Sequence, residues 1–251
     1  MPGRDKNRTM TLMSFILIFV MAMGAAFVQR VTGFGFGIFI MTVLPYLVPT
    51  YGEATTLSGL LSIMTAVPMV GYIWRHMDWH KLWPIMITFL VVSWLAVQMV
   101  AMAGDVMLKR VLGAVLILAS GWFYFLNDRV RVSPTMPVQM SMGTLSGLMG
   151  GLFGMQGPPA VLYFLACAKD KDEYMALAQA YFLIGNSMMT IYRARCGYLT
   201  PAVGLGWCCG VVAVLVGVWI GGKVFRRISA ITLRKLVYAY MAVSGLLALI
   251  G

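Results

Sequence analysis

Acidic residues are scarce: the 251-residue chain has eight Asp/Glu against nineteen Lys/Arg, and only 11% of its residues are charged. A soluble domain is about 25% charged and about 45–50% apolar, whereas this chain is 61% hydrophobic with a mean hydropathy of +0.86. A globule of that composition could not cover itself with polar surface, which excludes a soluble enzyme and a disordered chain. No polar stretch is long enough to form a separate soluble domain. Histidine is down to two residues. His76 and His80 flank Asp78 with no third ligand or nucleophile beside them, so neither a metal site nor a hydrolase is expected. Cys167, Cys196, Cys208 and Cys209 lack the paired spacing of zinc or redox motifs and read as packed thiols. No cofactor is implied. An integral membrane protein remains.

What the chain does have is long apolar runs. Crossing the hydrocarbon core takes about 20 residues of helix, and residues 10–28, 54–74, 82–103, 106–126, 174–192, 200–222 and 233–250 each offer such a run. The first follows Arg4, Lys6 and Arg8 in the manner of a signal peptide, but it exceeds the usual apolar core of about 7–15 residues and reads as a span. Basic residues cluster between runs, at 75–81, 129–131 and 223–235, where they set topology and meet lipid headgroups rather than nucleic acid. Trp74, Trp79, Trp83, Trp122 and Trp207 fall near run ends, as an interfacial belt requires.

Two further runs are interrupted. Residues 31–48 open with Thr32-Gly33-Phe34-Gly35-Phe36-Gly37, and residues 137–168 are cut between Gly150 and Pro159. Landmarks repeat in order around the polar connector at 127–134. Phe34-Gly35 answers Phe153-Gly154, Pro84 answers Pro201, and Leu108-Lys109-Arg110 answers Leu233-Arg234-Lys235. The expected fold is an all-α polytopic membrane protein of two related halves, 1–126 and 137–251, joined by 127–136. Each half would open with a Gly-rich broken or re-entrant helical hairpin followed by three transmembrane helices. Depending on whether the broken segments cross or return, the chain makes eight or ten crossings. Inverted repeats are the preferred arrangement.

Non-helical backbone at membrane depth is tolerated only where protein or a water-filled cavity surrounds it, and paired breaks in two halves point to a transporter's central site. Half-helix N-termini offer unpaired N–H groups and a partial positive charge to an anion, and glycine lets a ligand approach the backbone. Gly147, Gly151 and Gly154 have an alternative reading as small-residue helix packing. Arg30 stands beside the first break, either as a fixed charge for the site or as an interfacial arginine. Gln179, Tyr181 and Asn186 share one region of the following span and suit interhelical hydrogen bonds, with Asn186 also a site candidate. Arg193 and Arg195 close that span and read as topology signals. All eight acids lie in the tail or at run ends, which leaves no proton relay in mid-membrane.

Gln29-Arg30-Val31-Thr32-Gly33-Phe34-Gly35-Phe36-Gly37 followed by Pro45 resembles the first signature of the TauE/SafE-type sulfite exporter family, and Gly147 to Pro159 resembles its repeated signature. The turn Trp74-Arg75-His76-Met77-Asp78-Trp79 is similar to the family as well. Gln156 departs from it, standing where many members carry a small residue. The resemblance implies a multi-pass transporter of sulfite, sulfonates or related sulfur-containing anions, placed in a bacterial inner membrane. The implied substrate site comprises Gln29, Arg30, Thr32, Gly33, Phe34, Gly35, Phe36 and Gly37 from the first break. From the second it takes Gly151, Phe153, Gly154, Gln156, Gly157 and Pro158, together with Asn186. Gln29, Thr32 and Gln156 flank the breaks and suit hydrogen bonds either to the oxygens of a sulfur oxyanion or to the loosened backbone of the breaks. Potential-driven export is expected, with proton-coupled import or a channel-like anion pore as alternatives.

Overall fold

A computed structural model describes residues 10–69, 71, 75, 77–125, 135–224, 242, 243 and 246. Among them every regular element is a helix. The connector at 127–134, His76, Trp74 and the expected final span at 233–250, save three of its residues, lie outside the described residues. Helix α1 (Leu12–Thr32) is followed by the short α2 (Phe36–Ile40) and α3 (Leu44–Leu47), then by α4 (Tyr51–Ala66), α5 (Trp79–Met102) and α6 (Asp105–Phe125). After the connector come α7 (Met136–Phe153), α8 (Gly157–Cys167), α9 (Lys171–Arg195) and α10 (Pro201–Val224).

Local chemistry sets these boundaries. Thr50 and Glu53 form a reciprocal capping box at the start of α4, Asp78 caps α5 by accepting from the His80 N–H, and Asp170 caps α9 by accepting from Asp172 and Glu173. Asp105 opens α6, and Asp172 and Glu173 sit in the first turn of α9. Every described acid therefore lies at a helix N-terminus, where the helix dipole favours negative charge. Helix α4 is shorter than its apolar run, because the chain tightens into a 3-10 turn (Val67–Met69) around Pro68. The run at 31–48 divides into two short helices rather than one.

The glycines of α7 are spaced for packing. A Cβ on Gly143 would lie 2.7 Å from Ile85 O, one on Gly147 2.8 Å from Val92 Cβ, and one on Gly151 2.5 Å from Ala96 Cβ. Positions four apart on one face thus bring α7 onto α5 at backbone distance, the small-residue packing that substitutes for a hydrophobic drive in lipid. Glycines on α10 do the same: Gly217 abuts the Met23 carbonyl of α1, while Gly206 and Gly210 receive Leu57 and Leu61 of α4. Helix α9 packs against α4, α5 and α8 and so joins the α5–α7 pair to the α1–α10 pair.

Three described helices are long and apolar enough to cross a membrane by length and composition: Leu12–Thr32, Trp79–Val100 and Pro201–Lys223. Their exposed faces carry Leu12, Met13, Ile16 and Val20, then Ile87, Val91, Trp94 and Leu95, then Leu205, Val212 and Trp219. Such faces in water would be an aggregation surface, and in lipid they are satisfied. Helix α9 falls short of that hydropathy because it holds buried Gln179, Asn186 and Arg193. The other helices, not lipid, surround its polar face.

Candidate functional site

Both interrupted runs break through a glycine in the left-handed region. Helix α1 ends at Gly33 with φ +86°, its N–H donating to Gln29 O at 2.8 Å, and Gly35 follows at φ +102° before α2 begins. Helix α7 ends at Gly154 with φ +69°, and α8 begins three residues later. A residue with a Cβ would be strained at any of these three positions. The second break is narrower than the glycine count suggests. Gly150 and Gly151 remain helical, and Pro158 and Pro159 occupy the first turn of α8, where proline needs no N–H partner.

The two breaks meet. Gly37 packs on the backbone of the second break, and a Cβ there would overlap the Gly154 carbonyl oxygen. A Cβ on Gly157 would sit 3.7 Å from Phe34 Cβ and 3.6 Å from Phe182 Cζ. Beside this crossing lies a small, partly open cavity of about 20 Å³. The first break lines it with Gly35, Phe36, Gly37 and Ile38, and the second with Gly154, Met155, Gln156 and Gly157. Gln29 of α1, Ser62 of α4 and Phe182 and Asn186 of α9 close its sides. Among the described residues, no carboxylate and no cation lines it.

Most polar atoms around the cavity are already engaged. The Gln29 amide donates to Thr65 Oγ1 and, at 3.5 Å, to Gln179 Oε1, while Gln179 Nε2 donates to Gly33 O at 3.1 Å. Asn186 Nδ2 donates to Ser62 Oγ at 3.0 Å. Tyr181 donates to Ser146 Oγ at 2.7 Å, and Ser146 in turn donates to the Gln156 carbonyl, which fixes the backbone of the second break. The Gln156 carboxamide is the exception. It is 4% exposed, and neither Nε2 nor Oε1 has a hydrogen-bond partner.

Of the residues expected at the site, the cavity gathers Gln29, Gly35, Phe36, Gly37, Gly154, Gln156, Gly157 and Asn186. It leaves out the rest. Thr32 spends its hydroxyl on the carbonyls of Val28 and Phe34, at 2.9 and 2.7 Å. Gly33 shapes the turn, Gly151 packs on α5, and Phe34 and Phe153 are buried in the core. Pro158 belongs to the first turn of α8. Arg30 borders a neighbouring packing gap too small for a water, with Arg30 Nη1 3.3 Å from Met69 Sδ, and Gln29 stands between that gap and the cavity.

Arg193 is placed quite differently from a loop-side topology signal. Its side chain is 1% exposed, and it donates to Thr55 O at 2.9 Å, Gly150 O at 2.7 Å and Gly151 O at 3.3 Å. No carboxylate among the described residues pairs with it. The Gly150 and Gly151 carbonyls come from the last turn of α7, the negative end of that helix dipole, so that helix supplies counter-charge. A Cβ on Gly59 would lie 3.5 Å from Arg193 Nη1 and 3.7 Å from Asn186 Oδ1, which puts the guanidinium in the neighbourhood of the cavity wall.

A polytopic helical protein with a break-lined cavity is the architecture that the comparisons with known proteins bear on. The family model described as "Sulfite exporter TauE/SafE" matches residues 18–248. The chain belongs to the TauE/SafE sulfite exporter family. A relative, the "Probable sulfite/organosulfonate exporter TauE" of Cupriavidus necator, is 25% identical over 227 residues, covering 85% of this chain and 85% of that protein. No solved structure matches the chain. Membership makes it a membrane transporter, with sulfur-containing anions as the family's cargo.

Proposed function

We propose that the chain exports a small sulfur-containing anion, sulfite or an organosulfonate, by binding it in the cavity between the two breaks. The observation that carries this reading is the meeting of Gly37 and Gly154 beside a cavity whose wall holds a buried, unpartnered carboxamide. Glycine backbone on both sides admits a compact ligand closely, and a polar group awaiting partners supplies recognition. The wall's lack of cations suits release as well as binding, since a paired arginine would hold an anion tightly.

The two halves are read as repeats whose breaks cross at the pseudo-symmetric centre. Support comes from like backbone roles: Gly33 and Gly154 both cap a long helix in the left-handed conformation, and Phe36 and Gly157 both open the next one. That correspondence runs at an offset of 121 (33 to 154, 36 to 157), two residues from the Phe34-Gly35 and Phe153-Gly154 match. The site of action is a bacterial inner membrane, in keeping with the Cupriavidus relative.

Purified protein in liposomes loaded with labelled sulfite tests the reading. A saturable efflux at modest rate is expected. A current that rises without saturation would mean a pore, and the absence of flux for sulfite and organosulfonates alike would sink the proposal.

A further inference from the structure

Gln156 sits in a slot made by missing side chains. A Cβ on Gly150 would lie 2.9 Å from Gln156 Cβ, and one on Gly185 would lie 2.9 Å from Gln156 Oε1. The Phe89 ring reaches the same two glycines, at 3.0 and 2.9 Å, and closes the slot behind the amide. The side chain is thus held by packing and, through Tyr181 and Ser146, by its own backbone carbonyl, yet both ends of its carboxamide are unpartnered. A buried polar group left without a partner costs about 1–3 kcal/mol, and here two such atoms belong to one side chain among the residues that line the cavity.

Whichever way the amide is turned, it presents one donor face and one acceptor atom. The donor suits an anionic oxygen. The acceptor does not: a fully deprotonated oxyanion has nothing to give it and would be repelled. Backbone donors are also fewer than at an ordinary helix start, because Pro158 and Pro159 remove two of the first N–H groups of α8. The Gln29 amide nitrogen donates to Thr65 and Gln179, and one of the two Asn186 N–H groups donates to Ser62.

The geometry points to Gln156 as the specificity-determining residue, selecting anions that carry a proton donor beside their anionic oxygens. Such a ligand, hydrogensulfite or a sulfonate with an O–H or N–H group, satisfies both ends of the carboxamide at once. A site built to hydrogen-bond a ligand rejects the analogue lacking that group strongly, since its own polar atoms stay unpaired. This inference rests on the export reading and on the cavity being its binding site.

The test uses competition against labelled sulfite in proteoliposomes. 2-Hydroxyethanesulfonate and propanesulfonate are monoanions of matching size that differ by a hydroxyl in place of a methyl. In the unaltered protein the hydroxylated competitor is expected to inhibit at least about tenfold more strongly. In Gln156→Leu, checked for folding by size-exclusion in detergent, that preference should fall to about twofold or less. Equal inhibition in the unaltered protein overturns the inference whether or not the variant folds, as does a preference that survives Gln156→Leu. Sulfite flux with no such preference leaves the export reading standing, whereas no flux at all removes both.

Discussion

Arg193 Nη2 donates to the carbonyl of Gly150 at 2.7 Å, one helical turn before α7 breaks at Gly154. Its other donor reaches Thr55 O on α4, so one guanidinium ties α4, α7 and α9 together at the base of the second break. Planar, forked donors are needed for this, and a lysine cannot reach separate carbonyls in the same way. Arg193→Met removes several charge-assisted bonds, each worth about 1.5–3 kcal/mol, although relief of the buried charge offsets part of the loss. The expected outcome is a lowered melting temperature in detergent together with lost sulfite transport, partly restored in melting but not in transport by Arg193→Lys. Unchanged melting and transport in Arg193→Met would return this residue to a passive role.

The crossing of the breaks gives a sharper steric test than bulky substitution. Gly37 is helical, so alanine there is not strained by its backbone, and the added methyl collides with the backbone of the second break at the Gly154 carbonyl. Forcing the two breaks apart costs about 1–3 kcal/mol in overpacking. Gly37→Ala should therefore abolish or strongly reduce efflux while membrane levels stay normal. Gly204→Ala, on α10 with nothing within 4 Å, is the control and should transport normally. Wild-type kinetics in Gly37→Ala would show that the crossing is not the transport site.

Arg30 offers a charge without a carboxylate among its described partners, one side chain away from the cavity through Gln29. A charge in that position raises local anion concentration rather than gripping the ligand. Arg30→Gln is expected to raise the apparent KM several-fold at low ionic strength, with the difference shrinking as salt is added. Measuring uptake at two salt concentrations checks it. A change in maximal rate alone, independent of salt, would contradict the steering role.

Much of this arrangement was legible because glycine and proline punctuate so strongly. The breaks at Gly33 and Gly154 follow from the two Gly-rich interruptions of otherwise apolar runs. Arg193 was missed for a physical reason: an arginine near the end of an apolar run has the same local sequence whether it faces lipid headgroups or the protein interior. The signal that separates the two is the seven-residue spacing that runs from Gln179 to Asn186 and from Asn186 to Arg193, which puts all three on one face of α9. Each of them holds backbone or side chain of a facing helix, Gln179 at Gly33 O, Asn186 at Ser62 and Arg193 at Gly150. Gly151 illustrates the converse error. Sequence cannot tell a glycine that admits a ligand from one that admits Ala96 of a neighbouring helix.

The placement of acids bears on what drives transport. Glu53, Asp78, Asp105, Asp170, Asp172 and Glu173 all serve helix N-termini, and the two most buried are engaged, Glu53 with Thr50 and Thr200 and Glu173 with Lys81 at 2.6 Å. None of these lines the cavity, so among the described residues there is no carboxylate for substrate binding to titrate. An anion leaving a cell that is negative inside needs no such partner. One charge moving through 100 mV releases about 2.3 kcal/mol, roughly a fiftyfold concentration gradient. Efflux from proteoliposomes should therefore follow a voltage set with potassium and valinomycin while pH is clamped on both sides. It should change little when a pH difference is imposed at fixed voltage, once the protonation state of sulfite is matched. Transport that ignores voltage and follows the proton gradient would overturn potential-driven export in favour of coupled uptake.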